Sequence, residues 1–162
     1  VQKGLKAISK LKPIFTTIHI CGGDEMQKLS VLKNNNKKTF ILGVTVLTSL
    51  DEKQTLKYYK EKNVNILVKK FAKYAKKNNL RGLVCSPLEI NIVRKEVGEK
   101  MILVVPGVRP NKKSSSNKDD QKRTLTPKEA IDLGADFLVI GRPIIESINP
   151  LETIKKINKS IQ

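Results

Sequence analysis

Two arginines stand where this side chain is suited to gripping an anion. Arg109 follows the apolar, largely β-branched run 101–105 (MILVV) and the break Pro106-Gly107. Arg142 comes directly after Gly141 and the short apolar run 137–140 (FLVI). A guanidinium presents a planar fork of donors that matches the oxygens of a phosphate or carboxylate. A glycine beside it lets backbone N–H groups come close to the same anion. Two such strand-end arginines fit the holding of one phosphate. Between them, NKKSSSNKDDQKR (111–123) is polar and lacks periodicity, so 106–123 is expected to be a loop that orders over the ligand as a lid. An ion pair of Arg109 with Asp119 or Asp120 is the plainer reading. Gly107 and Pro110 favour the phosphate, because they set the backbone for close approach.

The remaining reactive residues carry less. His19, the sole histidine, lies on the apolar run 14–20 and is read as a core or rim residue, not a general base. Thr45 and Thr48 are ordinary strand formers by residue type. Cys21 and Cys85 are far apart and lack metal-ligand spacing, so they read as reduced thiols of a cytoplasmic protein, with no metal and no disulfide.

The elements that must position the arginines alternate along the chain. Strands are expected at 14–20, 39–50, 82–86, 102–105 and 137–140. Helices are expected at 3–11, after Asp24, at 65–79, from Pro87 to Val97, at 126–135 and over 150–161. Thr126 and Pro127 look like a cap and first turn, and Gly134 like a stop. Strands that are apolar throughout, each followed by a helix, imply a parallel sheet covered by helices. Such a chain is either a small doubly wound sheet or part of a (β/α)8 barrel. Length favours the former. The residues that follow the strands favour the barrel: His19, Thr48 and Ser49, Ser86, Arg109 and Gly141-Arg142 would all converge on one mouth.

Composition narrows the partners. With 162 residues the chain suits one domain. The net charge of +17 suggests a polyanion, yet only five of the 32 basic residues are arginine and few aromatics are interleaved, so nucleic acid is not expected. No apolar run is long enough for a membrane span, and the start lacks the apolar core of a signal peptide.

TIHICGG (17–23), VTVLTS (44–49), GLVCSPLEI (82–90), PGVRP (106–110), DQKR (120–123) and VIGRPI (139–144), in this order, resemble the bacterial orotidine 5'-phosphate decarboxylases. The resemblance implies a (β/α)8 TIM barrel, of which residues 1–162 would form the last five β-α units, strands 4 to 8. It implies orotidine 5'-monophosphate as substrate, UMP and carbon dioxide as products, no cofactor, and a homodimer. Carried over, Thr48 would meet the pyrimidine, Arg109 and Arg142 would bind the phosphate with the Gly141 backbone, and Gln121 would reach back from the lid. Pro106 and Gly107 would shape the pocket wall. The family's D-x-K-x-x-D motif, which stabilises the carbanion and protonates it, has no counterpart here. Asp51-Glu52-Lys53 comes near, but Leu56 stands where the second aspartate belongs, so it reads as a helix start. The catalytic residues are therefore expected upstream of Val1, and none in this chain. Other phosphosugar barrels, of hexulose-phosphate synthase or ribulose-phosphate epimerase type, and a non-catalytic nucleotide-phosphate binding module are the alternatives. VTVLTS and DQKR speak against the first of these.

Overall fold

Strands that are covered on both faces need no polar alternation, and the five apolar runs pair accordingly. The computed structural model describes residues 1–32, 39–110 and 124–162. In chain order it has α1 (Gln2–Ser9), β1 (Phe15–His19), α2 (Gly23–Leu32), β2 (Phe40–Val44), α3 (Glu52–Tyr59), α4 (Val64–Lys77) and β3 (Gly82–Val84). Then follow α5 (Ile90–Val97), β4 (Ile102–Pro106), α6 (Pro127–Asp132), β5 (Phe137–Val139), α7 (Arg142–Ile145) and α8 (Pro150–Ser160). All strands are parallel and lie in the order of the sequence, β1-β2-β3-β4-β5.

Successive side chains of each strand point to opposite faces. Ile18, Ile41, Leu83, Leu103 and Val105 join the helix-side core, packed with Val68, Phe71 and Ala72 of α4 and Ile90 and Val93 of α5. The intervening residues Phe15, Phe40, Leu42, Gly82, Ile102, Val104 and Phe137 fall on the other face. Gly82 is required there, because a Cβ would collide with the Ile102 carbonyl oxygen and press on Leu42. This inner face is concave. Phe15 meets Phe40 on the adjacent strand at 6.2 Å, and also Phe137, from the opposite edge of the sheet, edge-to-face at 5.0 Å. Strands four apart in an eight-stranded barrel face each other across its axis, so the five strands follow barrel curvature. The barrel reading of the sequence holds over the open sheet.

Boundaries differ in instructive ways. The second strand ends at Val44 and does not run to Leu50: Thr45 still donates its backbone N–H (3.1 Å) and its hydroxyl (3.0 Å) to the Val84 carbonyl, and the chain then turns, Leu50 N donating to Leu47 O at 3.0 Å. Asp51 caps α3: its carboxylate accepts from Gln54 N at 2.9 Å, while Gln54 Oε1 accepts from Asp51 N at 3.1 Å. Asp51-Glu52-Lys53 is thus a helix start, as its residue types suggest. Pro87 opens a single 3-10 turn (Pro87–Glu89) before α5. The helix expected over 126–135 is capped by Thr126, but its α-helical part stops at Asp132 and Gly134 follows with φ of +104°. At the α2–α4 contact, Asn78 Nδ2 donates to Asp24 Oδ1 and Gln27 Oε1, both at 3.0 Å. That hydrogen bond, with Lys77 nearby, holds the Asp24 carboxyl below the usual range.

One buried arginine ties the strand starts together. Arg94 is 9% exposed, and donates to the carbonyls of Gly134 (2.9 and 2.6 Å), Gly98 (3.0 Å) and Met101 (2.8 Å) and to Asp136 Oδ2 (2.7 Å). Asp136 Oδ2 also accepts from Leu103 N at 2.7 Å. Removing the guanidinium strands these acceptors. Arg94→Met is expected to cost about 2–4 kcal/mol in urea unfolding, the half-exposed Asp136 keeping it at the lower part of the buried-pair range. An unchanged midpoint would refute the latch.

The two thiols are set apart by burial. Cys85 is 1% exposed, and burial, with the Glu89 carboxylate beside it, pushes its thiol far above the usual range. Cys21 is exposed. In the folded protein at about pH 8 a disulfide reagent should therefore titrate one thiol rapidly, and Cys21→Ser should abolish that phase. Rapid labelling of Cys85 in the Cys21→Ser protein would contradict the packing of β3.

Candidate functional site

Parallel pairing sends every strand toward the same side, so the segments that follow the strands gather at one mouth. Within it, β4 and β5 are neighbours, and Pro106, the last residue of β4, pairs with Val139, the last of β5. Arg109 lies three residues beyond Pro106, and Arg142 three beyond Val139. The two arginines therefore follow neighbouring strands, each three residues past one member of the last paired couple.

Each is held by its own local structure. Gly107 has φ of +86°, a conformation open to glycine at little cost, and it turns the chain so that Val108 is fully buried. Arg109 is 7% exposed; its backbone N–H donates to Leu125 O at 2.9 Å, and its Nη1 to Val108 O at 3.3 Å. That bond to Leu125 joins the two ends of the segment 110–124. Arg142 is half-buried at the first position of α7, behind the exposed N-cap Gly141, and nothing lies within 4 Å of where a Gly141 Cβ would be. The carbonyl of Gly141 accepts from Ile144 N (2.9 Å) and Ile145 N (3.1 Å).

Beside the arginines, β2 and β3 contribute hydroxyls. Thr48 is half-buried in a turn closed by Leu50 N to Leu47 O at 3.0 Å. Ser86, two residues past β3, is 1% exposed, with its backbone N–H donating to Glu89 Oε2 at 3.0 Å. Its hydroxyl is buried without a hydrogen-bond partner among the described residues. The sequence marks Ser86 as a strand-end residue and Pro87 as a helix start, but only packing reveals the unsatisfied oxygen. His19 closes β1 and is exposed, a rim position in line with its reading from the sequence. Thr48, Pro106, Gly107, Arg109, Gly141 and Arg142 thus share one side of the sheet. Gln121 and the rest of the expected lid, 111–123, lie outside the described residues.

The opposite side offers a different surface. A cavity of about 590 Å³ is lined by Lys76, Arg81, Gly98, Lys100 and Met101. It opens at the strand starts, beside the last turns of α4 and α5, whose carbonyl ends oppose an anion. It is not the site of the paired arginines. Among the described residues no group of three or more His, Cys, Asp or Glu could hold a metal ion. No described helix is long and apolar enough to cross a membrane.

Comparison with known proteins agrees with this geometry. A model of the orotidine 5'-phosphate decarboxylase / HUMPS family matches residues 1–157. The orotidine 5'-phosphate decarboxylase of Wolbachia pipientis subsp. Culex pipiens is 43% identical over 161 residues, covering 99% of this chain and 70% of the relative. That of Pseudoalteromonas translucida is 40% identical over 165 residues, covering the whole of this chain and 69% of the relative. The crystal structure of the enzyme from Lactobacillus acidophilus superposes with a TM-score of 0.79 at 30% identity, over 99% of this chain and 69% of that one. With five barrel-curved parallel strands and arginines at matched strand ends, this chain belongs to the orotidine 5'-phosphate decarboxylase / HUMPS family.

Proposed function

We propose that this chain serves the decarboxylation of orotidine 5'-monophosphate to UMP and carbon dioxide, in pyrimidine nucleotide synthesis, and supplies the wall that holds the nucleotide. The observation that supports the reading is the pairing of Pro106 with Val139, which brings together the ends of two strands, each followed three residues later by an arginine. Their guanidinium groups grip the phosphate dianion, and the Gly141 backbone approaches the same oxygens. Gln121, from the lid, bridges phosphate and base. Pro106 and Gly107 form the pocket wall, and Thr48 meets the pyrimidine.

The reaction breaks a C–C bond, leaves an electron pair on the pyrimidine carbon, and needs a proton delivered there. The sequence contains no D-x-K-x-x-D motif to do this. Its residues act on the barrier through the far end of the substrate: the energy of binding the dianion closes the lid and presses the ring against the reacting groups. The working unit is a cytoplasmic homodimer. Two free cysteines suit a reducing compartment. Leu47 and Leu88, just past β2 and β3, are 46% and 50% exposed and would be covered by a second subunit beside the mouth.

Residues 1–162 alone are expected to release no carbon dioxide from orotidine monophosphate in a labelled-substrate assay; measurable release would refute the division of labour. UMP should bind to the chain and be displaced by inorganic phosphate. In the enzyme with the catalytic motif in place, Arg142→Ala should cost about 2–5 kcal/mol in kcat/KM, as for truncating one side of a desolvated charge pair. An unchanged kcat/KM would remove Arg142 from the phosphate site.

A further inference from the structure

The cavity of about 590 Å³ at the strand starts lies at the far end of the sheet from Arg109 and Arg142, and the proposed function makes no use of it. Its size suits a small molecule. Three cations line it: Lys76 from the last turn of α4, Arg81 just before β3, and Lys100 shortly before β4. All three are exposed, and among the described residues none forms an ion pair. Glu99 is the one acidic residue in the lining, and its carboxylate lies 3.7 Å from Arg94 Nε, so the buried guanidinium balances its charge.

Helix ends oppose an anion where their carbonyls are free, and here most are already taken. Tyr74 O, Ala75 O and Lys76 O at the end of α4 accept from Asn78 N (2.9 Å), Leu80 N (3.0 Å) and Asn79 N (3.1 Å). At the end of α5, Arg94 O accepts from Gly98 N at 2.8 Å and Glu96 O from Lys76 Nζ at 3.1 Å. The carbonyls of Gly98 and Met101, also in the lining, are held by the Arg94 guanidinium. Lys76 keeps its charge and two further N–H groups. Arg81 is placed by the sheet: its N–H donates to Ile41 O and its carbonyl accepts from Ile102 N, both at 3.1 Å, and its guanidinium lies 5.2 Å from the centre of the Phe40 ring. A guanidinium stacked on one face still presents its edge donors to an anion.

We infer that this cavity binds a short polyphosphate chain, free or esterified to an organic group, with Lys76, Arg81 and Lys100 on its oxygens. Three cations around one concavity, with the neighbouring negative ends already capped, match several negative charges and not a single one. The Arg81 fork pairs with two oxygens, and the lysines act as point charges beside it. Leu80, Val97 and Met101 complete the wall and offer apolar contact to an organic part.

The test titrates residues 1–162 calorimetrically with inorganic tripolyphosphate and with a nucleoside triphosphate, free of magnesium, at about 0.15 M salt, where a Debye length of about 8 Å screens scattered surface lysines. Saturable binding is expected, with a raised thermal midpoint, because a ligand of the folded state alone stabilises it. Arg81→Gln combined with Lys100→Gln should weaken binding at least about tenfold. Lys57→Gln combined with Lys62→Gln removes the same charge from an exposed surface elsewhere and should change it less than about twofold. Should the first double variant melt differently from the parent, Lys100→Gln alone takes its place. Arg142→Ala should leave this binding unchanged, which separates it from the phosphate site proposed at the mouth. Tighter binding of the nucleoside triphosphate than of tripolyphosphate identifies an esterified chain as the ligand; equal or weaker binding identifies the phosphate chain alone. Absence of binding, equal losses in the two double variants, binding abolished by Arg142→Ala, or tighter binding of citrate than of either phosphate would each overturn the inference.

Discussion

The pairing of β4 with β5 determines where both arginines stand, and that pairing is anchored at the far end of the strands. Asp136, just before β5, accepts from Leu103 N through its carboxylate at 2.7 Å and returns its own backbone N–H to Leu103 O at 3.0 Å. Arg94 reaches the same carboxylate from α5 and fastens it to the Gly134 carbonyl. Sheet register tolerates no partial slip, because a shift of one residue turns every side chain to the other face. Fixing Leu103 against Asp136 therefore fixes Pro106 against Val139, the last pair before the segments that carry Arg109 and Arg142. The charge pair that holds the register, Arg94 with Asp136, lies at the opposite end of the two strands from Arg109 and Arg142.

This separation lets each end meet a different requirement. At the strand starts, Arg94 is surrounded by acceptors and contributes rigidity. At the strand ends the backbone is itself well paired. Thr45 shows how: both its donors go to Val84 O, which extends the β2–β3 contact past the last ladder residue and leaves the following turn to carry Thr48. After β4, Gly107 turns the chain through a positive φ, and Val108 and Arg109 are both buried behind it.

Much of this was legible from residue types, and the failures have physical reasons. The strands announced themselves because sheets covered on both faces require continuous apolar runs, and Arg109 and Arg142 stood out because each follows such a run beside a glycine. The end of β2 is hidden in the sequence: TVLTSL has high strand propensity, yet the ladder ends at Val44 and the chain turns after Thr45, whose partner Val84 lies 39 residues away. Arg94 gave no signal, since an arginine in an amphipathic helix reads as solvated until the carbonyls of Gly98, Met101 and Gly134 are seen to converge on it. The unsatisfied Ser86 hydroxyl is likewise a property of packing. Non-local contacts of this kind leave no periodicity to read.

The concave face explains why curvature precedes chemistry in this fold. A flat five-stranded sheet would point the inner residues of β1 and β5 in parallel, and Phe15 would never meet Phe137. Strand twist, together with the close approach that Gly82 permits at the centre, rolls the sheet until its opposite edges face one another. The same roll tilts the segments after β2, β3, β4 and β5 toward a common axis. Under the proposed function, a phosphate held past the last two strands would have its sugar and base directed over the concavity, toward Thr48. Remote binding energy can act on a reacting ring only when grip and ring share a rigid frame. Under the proposed function that frame would be the curved register of β2 to β5, so a change that flattened the sheet would part the segments carrying Arg109 and Arg142 from the turn carrying Thr48 without altering any of the three side chains.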